Sequence, residues 1–103
     1  MQEITNDNFK KEIRDNNAVM VDCYAEWCGP CRMMNPALEE LNEEFDGQVK
    51  ICKADIATNG DLTREYGISS VPTILLFKKG ELVKKHIGSR SKKDLHTDLK
   101  GML

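Results

Sequence analysis

Three of the chain's four cysteines fall within nine positions, in the run Val21-Asp22-Cys23-Tyr24-Ala25-Glu26-Trp27-Cys28-Gly29-Pro30-Cys31. Thiols at this density can close a disulfide, hold a metal or an iron–sulfur cluster, or fill a core. Cys28 and Cys31 are separated by two residues, the spacing at which one helical turn brings two sulfurs within bonding reach. If the first of them opens a helix, the unpaired N–H groups and the macrodipole favour its thiolate. Cys28 is therefore the expected nucleophile and Cys31, one turn further in, the resolving thiol. Pro30 stands in the first turn, where its missing N–H costs nothing and its fixed φ stiffens the loop. Gly29 leaves room for a substrate backbone.

Zinc needs two ligands beyond a C-x-x-C pair. His86 and His96 do not supply them: His86 alternates with Lys84 on a strand, His96 lies off the Leu95 and Leu99 stripe, and both are expected to be solvated. Cys23, Cys28, Cys31 and Cys52 also have the C-x4-C-x2-C form, with a distant fourth cysteine, of a plant-type [2Fe–2S] site. Their context opposes this, because Cys23 lies within Val19 to Tyr24 and Cys52 between Ile51 and Lys53, both strand-like runs that cannot wrap a cluster as an irregular loop does. Cys23 and Cys52 read as packing residues.

The elements that position the pair follow from periodicity. A short strand around Glu3 leads to a helix with Thr5 or Asn6 as candidate N-cap and with Phe9 and Ile13 on one face. Ala18 to Ala25 reads as a buried central strand. Cys31, Met34, Leu38, Leu41 and Phe45 then form one helical stripe closed by Gly47, with a kink expected at Pro36. Val49 to Ala54 is a strand, and Asp61 to Tyr66 a short helix ending at Gly67. Thr73 to Phe77 and Glu81 to Ile87 form a hairpin through Lys78 to Gly80. The last helix starts at Ser91, with Asp94 completing a capping box, and is expected to bury Leu95, Leu99 and Leu103. These elements predict an α/β fold, a central mixed β-sheet flanked by helices on both faces.

With 103 residues the chain is expected to be one domain, residues 1–103. The net charge of -2, with acids and bases interspersed, offers no stripe for a phosphate backbone, so no nucleic-acid partner is expected. The longest apolar run, Ile74 to Phe77, is too short for a bilayer, and no basic leader with an apolar stretch opens the sequence. No membrane partner and a cytoplasmic location are expected.

The segment Val21 to Arg32, with its Trp27-Cys28-Gly29-Pro30-Cys31 core, resembles the active-site segment of the thioredoxin family. The resemblance runs on through Pro36, Lys53-Ala54-Asp55, Tyr66-Gly67-Ile68, Ser70-Val71-Pro72-Thr73, Phe77 to Gly80 and Ile87-Gly88. It implies a thioredoxin fold and a protein-disulfide reductase that works by dithiol–disulfide exchange. No cofactor need bind the chain, because the Cys28/Cys31 disulfide is the redox group. A thioredoxin reductase would recharge it, disulfide-containing proteins would be its clients, and a monomer is expected. Asp22 matches the family's buried carboxylate, where desolvation should raise its pKa and let it exchange a proton with Cys31. Lys53 matches the lysine near that carboxylate. Pro72 matches the family's cis-proline, which leaves the Val71 backbone free to pair with an extended substrate. Trp27, Gly29, Pro30, Ile56, Val71, Pro72 and Gly88 would then form a shallow apolar docking surface. Tyr24, Cys23 and Ala57 depart from the commonest pattern, in which Trp, an aromatic and an acid are frequent. A disulfide isomerase or oxidant is disfavoured by the absence of His between the cysteines. A non-redox binding module using the same groove is the alternative from another class.

Overall fold

A computed structural model describes residues 1–103. The five strands are β1 (Gln2–Glu3), β2 (Ala18–Tyr24), β3 (Lys50–Asp55), β4 (Thr73–Lys78) and β5 (Glu81–Ile87), and the four helices are α1 (Phe9–Asp15), α2 (Gly29–Glu44), α3 (Gly60–Glu65) and α4 (Lys92–Lys100). They form one sheet in the order β1-β3-β2-β4-β5. β1 and β2 run parallel to β3, whereas β4 is antiparallel to β2 and β5 to β4. This is the mixed sheet expected from the sequence.

Period-two alternation along β2 sorts its side chains between the two faces of the sheet. Ala18 and Met20 pack with Met34, Leu38 and Leu41 of α2 and with Leu95 and Leu99 of α4. Val19, Val21 and Cys23 pack on the other face with Phe9 and Ile13 of α1 and Leu62 of α3. Both faces of β2 are covered, which is why the strand reads as an unbroken apolar run except at Asp22. Each fully buried leucine of this core, such as Leu38 or Leu95, contributes about 2 kcal/mol through burial.

Several boundaries and burial assignments differ from the sequence reading. α1 begins after Asn8, not after Thr5 or Asn6. The Oδ1 of Asn6 instead accepts from the backbone N–H groups of Asp61 and Leu62, at 3.1 and 3.3 Å, and so serves the start of α3. Leu103 is 59 % exposed and Met102 is buried in its place, because α4 stops before Gly101 and the chain leaves its helical register there. His86 and His96 are half-buried rather than solvated. His86 Nε2 lies 3.4 Å from Asp98, which also accepts two bonds from Arg90, at 2.7 and 3.0 Å. His96 Nε2 lies 2.6 Å from Glu44, and its ring meets Phe45 edge-on.

α2 runs through Pro36 as one helix. β4 and β5 are joined by Lys79 and Gly80, both at positive φ (51° and 83°), a turn whose twist matches that of the strands it links. β5 is one of the two edge strands, opposite β1; it carries Lys84 and Lys85 and is shifted in register against β4 between Leu76 and Phe77. No helix is long and apolar enough to cross a membrane.

Candidate active site

β2 and β3 deliver the site at their C-terminal ends. Beyond Tyr24 the chain turns through Ala25 to Trp27, and the Cys28 N–H donates to the Ala25 carbonyl at 3.1 Å. Cys28 is the N-cap of α2, in extended conformation, and its Sγ accepts from the Cys31 N–H at 3.2 Å. A sulfur thus occupies the capping position that a Ser or Asp oxygen commonly fills, facing donors that the helix leaves unpaired. Cys28 and Cys31 are disulfide-bonded, with their Cα atoms 5.3 Å apart. Both are buried and form a small cluster with Ala25, against which Tyr24, Ile56 and Val71 pack.

Asp22 lies on the same face of β2 as Met20, the face that α2 covers. It is 0 % exposed, and neither carboxylate oxygen has a hydrogen-bond partner. Burial raises its pKa from 3.8 to about 6, against an opposing pull from Lys53, while the Glu3 carboxylate adds to the rise. Lys53 is the register partner of Asp22 across β2 and β3. Its ammonium does not pair with Asp22. It donates to Asn35 Oδ1 at 3.3 Å and sits 4.6 Å from the centroid of the Tyr24 ring.

Of the residues expected to form a docking surface, Trp27 is 74 % exposed, Pro30 is exposed, and Gly29, Ile56, Val71 and Gly88 are partly exposed. Pro72 is buried, so it backs this surface rather than lying on it. The Val71–Pro72 bond is cis, and the Pro72 carbonyl accepts from the Gly88 N–H at 2.8 Å, which brings those two segments together. The Val71 N–H and C=O make no hydrogen bond within the chain. Sequence reasoning missed Met33, 82 % exposed, which lines a cavity of about 470 Å³ with Pro30, Ser89 and Arg90. It also missed Ile87, exposed beside Gly88. The signal for Met33 was present: it is an apolar residue off the Cys31, Met34, Leu38 stripe.

Cys23 and Cys52 are free and fully buried on the α1 and α3 side of the sheet. No three His, Cys, Asp or Glu side chains are grouped to hold a metal ion, so the four cysteines do not converge as an iron–sulfur site requires. Burial, helped by Asp22, pushes the Cys23 thiol up to about 12, and burial pushes Cys52 to about 11. In the native reduced protein an alkylating agent is expected to label Cys28, with Cys23 and Cys52 unmodified until the chain unfolds. Peptide mapping after a short iodoacetamide pulse checks this, and labelling of Cys52 at the rate of Cys28 would contradict it.

A disulfide that caps a helix at the end of a central strand, with exposed apolar residues around it, defines a thiol–disulfide oxidoreductase. A sequence model described as Thioredoxin matches residues 1–101. The chain is 45 % identical over 93 residues to thioredoxin of Rickettsia felis, covering 89 % of each, and 41 % identical over 100 residues to thioredoxin of Pyropia yezoensis, covering 96 % of this chain and 94 % of that one. The fold matches oxidized mitochondrial thioredoxin 3 of Saccharomyces cerevisiae with a TM-score of 0.90 at 32 % identity, over 98 % of this chain and 94 % of that one. The chain belongs to the thioredoxin family, and its activity is protein-disulfide reduction through its own Cys28–Cys31 redox group.

Proposed function

We propose that the 103 residues act as one monomeric, cytoplasmic thioredoxin domain, a dithiol reductant of disulfide-containing client proteins recharged by a thioredoxin reductase. Cys28 thiolate attacks one sulfur of the client disulfide; a Cys28–client bond forms and the other client sulfur leaves as a thiolate. Cys31 then attacks the Cys28 sulfur. The Cys28–Cys31 bond forms, the client bond breaks, and the client's second sulfur departs with the electron pair. Asp22 takes the Cys31 proton during that attack, and Lys53 supplies a nearby positive charge. Clients dock over Trp27, Gly29, Pro30, Ile56 and Val71, with Pro72 and Gly88 fixing the Val71 backbone for strand-like pairing.

The observation that carries this reading is the Cys31 N–H donating to Cys28 Sγ at the head of a 16-residue helix. When the disulfide opens, that position stabilises the sulfur as the attacking thiolate. Equilibration with a defined thiol buffer, with each cysteine read by mass spectrometry, tests it. The couple is expected near about -270 mV, a general reductant, and a value above about -200 mV would make the protein an isomerase or oxidant instead.

A further inference from the structure

A buried carboxyl without a hydrogen bond, one residue across the sheet from a lysine, poses a physical problem. In a low-dielectric interior an ammonium on a flexible stem gains more from a bare carboxylate than from a neutral amide or an aromatic face. Yet Lys53 takes the amide and the ring. Asn35 offers its Oδ1 from the second turn of α2, and Tyr24 offers its ring from the end of β2. That ring is tethered, because the Tyr24 hydroxyl donates to Glu3 Oε1 of β1 at 2.8 Å. Burial, and then this hydrogen bond, push the Tyr24 hydroxyl pKa up, so it stays a donor. Three elements besides Lys53's own strand therefore cooperate in holding the ammonium where it is.

We propose that Tyr24 and Asn35 are positioning residues that hold the Lys53 ammonium off Asp22, keeping Asp22 a proton acceptor rather than half of a salt bridge. The consequence for the reaction rests on the role assigned to Asp22 above. An ion-paired carboxylate is a weaker base, so it accepts the Cys31 proton less readily as Cys31 attacks Cys28 and the client sulfur leaves. The charged groups acting on Asp22 are Lys53 from β3 and Glu3 from β1. Its partner on β4 is the apolar Ile74, and α2 turns Cys31, Met34 and Leu38 inward above it. Lys53 is thus the one cation whose placement can set its basicity.

The test follows the Asp22 carboxyl carbon by NMR titration of the intact oxidised protein. Asn35→Ala, and Asn35→Ala with Tyr24→Leu, are each expected to lower the Asp22 midpoint, by about one pH unit in the double variant, a tenfold loss of proton affinity. Tyr24→Phe keeps the ring and should stay closer to the parent than Tyr24→Leu. In a Lys53→Met background, Asn35→Ala should leave the midpoint unmoved, because the effect runs through the ammonium. An unmoved or raised midpoint in folded Asn35→Ala, or an equal shift with and without Lys53, would overturn the proposal. Client release from the mixed disulfide, followed against pH, separates the two readings. A midpoint that falls with a matching shift in the release profile supports both. A midpoint that falls while the profile stays put supports the placement of Lys53 and overturns the role of Asp22.

Discussion

A Cys31→Ser variant is expected to capture a client disulfide through Cys28 and hold it as a mixed disulfide that persists until an external thiol is added. The reason is geometric. Cys31 follows Cys28 by one helical turn with the Cα atoms 5.3 Å apart, so its attack on the Cys28 sulfur is intramolecular and already oriented. Well-oriented intramolecular attack corresponds to an effective concentration of about 10⁵ M or more, and substituting a millimolar external thiol should slow turnover at least about a thousandfold. Cys28→Ser should lose both adduct and turnover, since it removes the sulfur that the head of α2 stabilises as the attacking thiolate. Intact-mass detection of the adduct, with steady-state reduction of a protein disulfide, reads both variants. Full function in either one would turn the groove into a non-redox binding surface.

The second large effect is on stability. Well below pH 3.8 Asp22 is uncharged in both folded and unfolded chains, but between 3.8 and about 6 the unfolded chain has largely lost the proton that the folded chain keeps. Over that window the folded state binds more protons, so stability falls as pH rises. The loss is complete once pH exceeds the folded value, and the displacement corresponds to about 3 kcal/mol. Asp22→Asn, which preserves the volume and removes the titration, should therefore gain about 3 kcal/mol on the parent between pH 3.5 and pH 7.5. Urea unfolding of the two oxidised proteins at both pH values measures this; a gap that does not widen would mean that Asp22 ionises like an exposed aspartate. The same variant is expected to release clients more slowly, which makes the carboxyl a case of stability given up at a working site.

The sequence carried the cysteine pair, the helical stripe through Cys31, Met34, Leu38 and Leu41, and the hairpin at Lys79-Gly80, because each is a local pattern with a local cause. What it concealed depends on partners distant in the chain. Asn6 looks like a cap for the helix that follows it, yet its oxygen serves the N–H groups of Asp61 and Leu62, a contact created by the docking of α3 beside α1. His86 alternates with Lys84 and so reads as solvated, until α4 brings Asp98 against it. The family resemblance names Lys53 as a neighbour of Asp22 and strand register puts it there, but its diversion depends on Asn35 and Tyr24, which no periodicity links to it. Leu103 followed the four-residue rhythm of α4 beyond the point where the helix ends.

The margin of the sheet at β5 bears on crowding. An open strand edge invites a second copy to align along it, the first step toward fibrillar aggregation, whereas a bulged margin studded with lysines meets that copy with mismatched register and like charge. The pairing-ready backbone at Val71 is a single residue beside the cysteines, too short to template a growing sheet. On the proposed docking mode, the molecule offers main chain to a client beside its cysteines while its β5 edge turns away copies of itself.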